Sequence, residues 1–88
     1  MDEFALVFTK DFEADLVRLE LEAQRFITKK VQQLKERPLL GKRLAGCPYW
    51  ALHIGAHRVI YKLDGRERTV ELIAILDRKH DYRELGRL

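Results

Sequence analysis

The 88-residue chain has a single cysteine, Cys47, so no internal disulfide holds it, and a reducing, cytoplasmic setting is expected. No close ligand pair such as C-x2-C is present. Cys47, His53, His57 and His80 make a poor zinc set, because strand alternation sends His53 and His57 to opposite faces. No metal and no cofactor are expected. The longest apolar runs, such as residues 72–76, are five residues long, which excludes a membrane-spanning helix. The acidic opening Met1-Asp2-Glu3 argues against a secretory signal. There is no repeat, no low-complexity tract and no linker, so residues 1–88 are read as one small domain.

What is present is apolar and charged in the proportions of a folded protein: 47% hydrophobic and 35% charged residues. The net charge is only +3, but it is unevenly spread. Residues 1–28 carry three Lys/Arg against seven Asp/Glu, and residues 29–43 carry six against one. Residues 51–88 carry eight against six. The basic surface thus begins at Lys29, an asymmetry that suits a polyanionic partner on one side and equally a solvated charged surface.

Phe4 to Phe8 is a short apolar run and reads as a buried strand. Thr9 to Asp11 offers helix N-cap chemistry. Phe12, Leu16 and Leu19 follow at helical spacing, then Ala23, Phe26, Ile27, Val31 and Leu34. No Gly or Pro separates the two sets, so one long helix and a hairpin turning near Glu20 to Glu22 both fit; the hairpin is the expectation adopted. Arg37 precedes Pro38 and ends the second helix. Leu39 to Pro48, with Gly41, Gly46 and Pro48, reads as a loop.

Tyr49 to Ile54 and His57 to Leu63 are strand-like and joined by Gly55-Ala56, where glycine first suits a type II′ turn. That turn sets Ile54 against His57 and His53 against Arg58. Trp50, Leu52, Ile54, Val59 and Tyr61 then share the face toward the helices, and Ala51, His53, Arg58, Ile60 and Lys62 share the other. Trp50 and Tyr61 are read as core, and His57 as a packing or turn residue. Asp64-Gly65 marks a second hairpin leading into Thr69 to Leu76, a strand apolar at nearly every position and therefore central. Asp81 to Leu85 reads as a short terminal helix. The expected class is α+β: an antiparallel sheet with an N-terminal strand, a helical hairpin on one face, three further strands and a short C-terminal helix.

The polar residues of the second half carry the chemistry. Arg58 sits beside a tight turn, and Arg78, Lys79, His80, Tyr82 and Arg83 follow the last strand. Guanidinium forks hold phosphate oxygens and stay charged, while imidazoles and a phenol move protons. The competing reading of Arg58 is a cross-strand ion pair, since a two-residue Asp64-Gly65 turn sets Glu71 opposite it. His53 and His80 are candidate acids or bases. Tyr82 is a candidate base, a stacking ring or a hydrophobic anchor. Lys29, Lys30, Lys35, Lys42 and Arg43 are candidates for steering a polyanionic partner, with a solvated face as the competing reading.

The chain resembles the RelE/ParE superfamily of toxins from type II toxin–antitoxin systems. The resemblance rests on F-x-x-D-L-x-x-L (Phe12, Asp15, Leu16, Leu19), the lysine-rich second helix and P-x-x-G-x-x-L-x-G (Pro38, Gly41, Leu44, Gly46). It continues through I-G-x-H-R-V-I-Y (Ile54 to Tyr61) and the closing R-K-H-D-Y. RelE-like members cleave messenger RNA in the ribosomal decoding site, and ParE-like members instead inhibit DNA gyrase. Both are held inactive by an antitoxin; the resemblance favours the RelE-like endoribonuclease, against a ParE-like gyrase inhibitor or a catalytically weak antitoxin-binding module whose complex is a candidate for operator DNA binding. The resemblance implies phosphate binding and transition-state stabilisation by Arg58 and Arg78, and proton transfer by His80 or Tyr82. RelE-like members place basic residues at alternate positions after the strand's aromatic, where this chain has Ala51 and His53.

Overall fold

The computed structural model describes residues 3–77. Arg78, Lys79, His80, Tyr82, Arg83 and the expected terminal helix lie outside the described residues. The order is β1 (Ala5–Phe8), α1 (Lys10–Val17), α2 (Leu21–Val31), a 3-10 turn (Gln32–Lys35), β2 (Lys42–Arg43), β3 (Tyr49–Ile54), β4 (His57–Asp64) and β5 (Thr69–Asp77).

Thr9 starts α1 as its sequence position predicts. Its hydroxyl accepts from the Phe12 N–H at 3.2 Å and donates to the Leu72 carbonyl at 2.7 Å, so the cap also fastens the helix to the sheet. The hairpin form of the helical segment is the one adopted, with the turn at residues 18–20, slightly before the expected place. The Gln24 side-chain amide donates to the Leu19 carbonyl at 2.8 Å, and the Leu19 N–H bonds the Leu16 carbonyl at 3.1 Å. Side-chain and backbone groups thus absorb the helix-end carbonyls without a glycine.

The five strands form one sheet in the order β1-β5-β4-β3-β2. An antiparallel sheet was expected, but this one is mixed: β1 runs parallel to β5, with Ala5 beside Thr69 and Phe8 beside Leu72. The intervening hairpins reverse direction three times after the helices, which brings β5 back in the sense of β1; parallel neighbours need such a long connection. β5 is interior, as its composition predicts. The loop expected over residues 39–48 contains the short edge strand β2, which pairs Lys42 with Ala51 and Arg43 with Trp50.

The β3–β4 register is the expected one, with His53 opposite Arg58 and Ile54 opposite His57. Gly55 has φ +60° and Ala56 is not in the left-handed region, as a type II′ turn requires. The β4–β5 register differs from expectation. The connection spans residues 65–68 rather than two residues, Glu71 pairs with Lys62, and Arg58 lies opposite Leu76. Asp64 Oδ1 accepts from the N–H groups of Arg66 and Glu67, both at 3.0 Å, and so builds the longer turn.

One core lies between helices and sheet: Phe12, Ile27, Val31, Leu34, Leu52, Ile54, Val59, Tyr61, Val70, Leu72 and Ile75. Trp50 packs against it and stacks on Tyr61 with ring centroids 6.1 Å apart. Phe26, expected in the helical stripe, is instead 48% exposed near the Gly55 turn. The opposite face of the sheet carries a smaller cluster, Ala51, Ile60 and Ala74, bordered by Leu44, Tyr49, Ile73 and Leu76.

Candidate functional site

The sheet face turned away from the helices is hereafter the outer face. Its rows follow from the register, because directly paired residues share a face. One row is His53, Arg58 and Leu76 across β3, β4 and β5. The next is Lys42, Ala51, Ile60 and Ala74 across β2 to β5. A third is Tyr49, Lys62 and Glu71.

The first row carries the candidate chemistry. His53 is exposed and Arg58 is half-buried, with its Nε shielded from solvent. Sheltering a guanidinium from water strengthens its pull on an anion, since the effective dielectric falls. An imidazole on the adjacent strand stands within one strand spacing of about 4.8 Å. The pairing sets a fixed cation beside a group able to give or take a proton. His57, one residue before Arg58 and so of opposite parity, lies on the helix side, opposite Asp77.

Two features of this face were not foreseen. The first is an irregularity in β5. Ile60 pairs with Ala74 but Tyr61 pairs with Leu72, so Ile73 is an extra residue, a β-bulge. The Ile75 N–H beside it donates to Asp15 Oδ2 at 2.9 Å, which explains an acidic residue on the buried side of α1. The bulge sets the phase of the end of β5, and with it the placing of Leu76 beside Arg58. Asp15 in F-x-x-D-L was the only trace of it in the sequence, and a bulge needs no signature residue.

The second is the seating of Lys42. Tyr61 is fully buried, yet its hydroxyl donates to the Pro38 carbonyl and accepts from the Gly41 N–H, both at 2.9 Å. Burial pushes the phenol above its ordinary pKa of 10, against a smaller lowering by the Gly41 hydrogen bond. Gly41 admits no side chain: a Cβ there would be 2.7 Å from both the Ala51 carbonyl oxygen and the Tyr61 hydroxyl. The segment is therefore drawn onto β3, and β2 begins at the next residue.

The basic candidates divide by layer. Lys29 and Lys30 are on α2 and Lys35 is on the 3-10 turn, all on the helical layer. Lys42 is exposed on the outer face, whereas Arg43 pairs with Trp50 and shares the helix-side face. Among the described residues no helix is long and apolar enough to cross a membrane.

Comparisons with known proteins agree with one another. Residues 6–82 match the family model for the ParE toxin of the type II toxin–antitoxin system, parDE. No curated protein sequence matches the chain. Among solved structures, the free E. coli toxin RelE, as a double mutant, superposes with TM-score 0.81 at 16% identity, covering 98% of each chain. The RelBE2 toxin–antitoxin complex from Mycobacterium tuberculosis gives 0.78 at 22% identity, over 86% of this chain and 99% of that one. A YoeB/ParE toxin from Agrobacterium tumefaciens gives 0.70 at 23%, over 84% and 98%. At such identities these three establish the fold alone.

Proposed function

This chain belongs to the family of ParE toxins of type II toxin–antitoxin systems, within the RelE/ParE superfamily, and from that membership and the outer face we propose that it is an endoribonuclease toxin. On this reading it cleaves translated messenger RNA at the ribosome without a metal and is neutralised by a cognate antitoxin. The observation that carries the reading is the His53–Arg58 row: a titratable ring and a half-buried guanidinium on paired strands, on the face turned away from the helices. The antitoxin partner rests on the family and on relatives solved as toxin–antitoxin complexes.

The chemistry is a transfer within the substrate. A base takes the 2′-OH proton, the O2′–P bond forms, the P–O5′ bond breaks, and an acid protonates the departing 5′ oxygen. The products are a 2′,3′-cyclic phosphate and a 5′-OH. Arg58 holds the phosphoryl oxygens as their charge grows, with Arg78 as its second. His53, His80 and Tyr82 are the groups available for the two proton transfers, and Lys79 and Arg83 extend the grip on RNA. Removing one charge-stabilising group from such a site commonly lowers the rate about 10²–10³-fold.

The test is to map messenger RNA ends after induction in cells. Wild-type protein should yield new 5′-OH and 2′,3′-cyclic or 3′-phosphate ends, and Arg58→Ala should lower their yield at least about 100-fold. Intact messages in growth-arrested cells would reject the reading.

A second reading has its own support. The matching family model is that of ParE toxins, and the outer face of β3 offers Tyr49, Ala51 and His53, with no permanent cation. Inhibition of DNA gyrase without nuclease activity fits both. Accumulation of gyrase-cleaved DNA with intact messages would identify it.

A further inference from the structure

The second row of the outer face holds one charged side chain, and it comes from an edge strand of two residues. Lys42 lies directly beside Ala51, whose short side chain is itself buried, so the exposed lysine is the polar end of that row. Ala51 is two residues from His53 on the same face of β3. From strand geometry, the Cα atoms of Lys42 and Arg58 are two strand spacings across and two residues along from each other, about 12 Å. That separation suits two cations on neighbouring groups of one extended chain, rather than two on a single group.

The placement is built rather than incidental. A segment of two paired residues has little hold on a sheet by its own hydrogen bonds. Here the chain just before it is clasped by a buried hydroxyl at the Pro38 carbonyl and at the Gly41 N–H. The missing side chain at Gly41 lets the backbone lie against the Ala51 carbonyl. These contacts settle the register, and the register settles which of two adjacent cations faces outward. Lys42 does, and Arg43 does not.

We propose that Lys42 is a phosphate contact of the RNA site, gripping the phosphate next to the one held by Arg58, and that the Tyr61–Gly41 clasp is what positions it. The proposal rests on the RNA-cleaving reading given above. The ligand is a single-stranded RNA backbone, recognised through its charge and not its bases. Lys42 extends the site along the strand and does not touch the scissile bond.

The experiment uses a fluorescein-labelled RNA oligonucleotide, 2′-O-methylated throughout so that it binds but is not cut. Dissociation constants are measured by anisotropy from 50 to 300 mM salt for wild type, Lys42→Ala, Lys42→Arg, Arg43→Ala and Arg58→Ala. Lys42→Ala should weaken binding about five-fold and lower the salt slope by about 0.7, the share of one single-strand phosphate. Lys42→Arg should keep the wild-type slope, and Arg43→Ala should stay within two-fold of wild type. Equal losses for Lys42→Ala and Arg43→Ala would overturn the proposal, since that is undirected charge. A loss with Arg58→Ala but none with Lys42→Ala would overturn it while leaving the RNA-cleaving reading intact. No loss with either variant would remove both. Tyr61→Phe provides a second handle: the lysine is retained but its seat is loosened, and the slope should fall toward that of Lys42→Ala.

Discussion

The hydroxyl of Tyr61 is the most constrained polar group described in this protein. It is buried within the core, and its two hydrogen bonds reach a carbonyl and an N–H that have no strand partner of their own. Deleting it in Tyr61→Phe leaves both backbone groups to find water or go unmet, a loss of about 1–3 kcal/mol. The same burial makes the protein's stability pH-dependent at the alkaline end. The folded-state pKa is raised above the unfolded value near 10, so the folded form keeps a proton that the unfolded form releases. This contribution is fully present below pH 10 and is lost as pH rises through the folded value. Denaturant titrations at pH 8 and above pH 10 should therefore show wild type losing more stability than Tyr61→Phe over that interval. Parallel losses would mean that another group governs the alkaline limit.

At the scale of elements, the same reasoning applies to the bulge in β5. Asp15 on α1 reaches across the layers to the Ile75 N–H at 2.9 Å, next to the extra residue Ile73. Asp15→Ala leaves that N–H without its acceptor in a part-buried place and should cost about 1–3 kcal/mol. It should also release the phase of the strand end, where Leu76 sits beside Arg58. Amide exchange should rise selectively at residues 73–76, while β3 keeps its protection; uniform exchange across the sheet would show only general destabilisation.

These elements also mark what could be read from the sequence and what could not. The β3–β4 hairpin was legible because a glycine first in a two-residue turn selects one turn type, and turn type dictates register. Thr9 was legible because capping chemistry is local. The helix break was placed slightly too late, because it depends on Gln24 reaching back to the Leu19 carbonyl, a contact with no composition signal. The β4–β5 register failed for a related reason. Asp64-Gly65 resembles a two-residue turn, but Asp64 captures the N–H groups of Arg66 and Glu67 and stretches the connection through Arg68, at φ +54°. That shift moved Glu71 from opposite Arg58 to opposite Lys62, so Glu71 is not the cross-strand neighbour of Arg58. β2 was invisible because two charged residues carry no strand pattern; their pairing depends on the preceding Gly41, held by a tyrosine 20 positions further on.

For the whole molecule the question is which of its charges an RNA strand on the outer face would feel. The sequence alone pools Lys29, Lys30, Lys35, Lys42 and Arg43 into one basic stretch. The fold separates them: α2 and the 3-10 turn lie behind the sheet, and the outer face lies in front. The Cα framework is 34 × 30 × 21 Å, so side chains pointing outward from opposite layers stand on the order of 20 Å apart. At physiological ionic strength the screening length is about 8 Å, less than half that distance. A charge on α2 is therefore largely invisible to a phosphate beside Arg58, and the acidic bias of residues 1–28 is screened likewise. Lys29→Ala should leave affinity for the uncleavable RNA within two-fold at 150 mM salt, while Lys42→Ala should not. The difference should narrow at 10 mM salt, where the screening length reaches about 30 Å and spans the molecule. If Lys29→Ala weakened binding as much as Lys42→Ala at the higher salt, the strand would have to engage the helical layer. The outer face would then lose its standing as the place where this protein meets RNA.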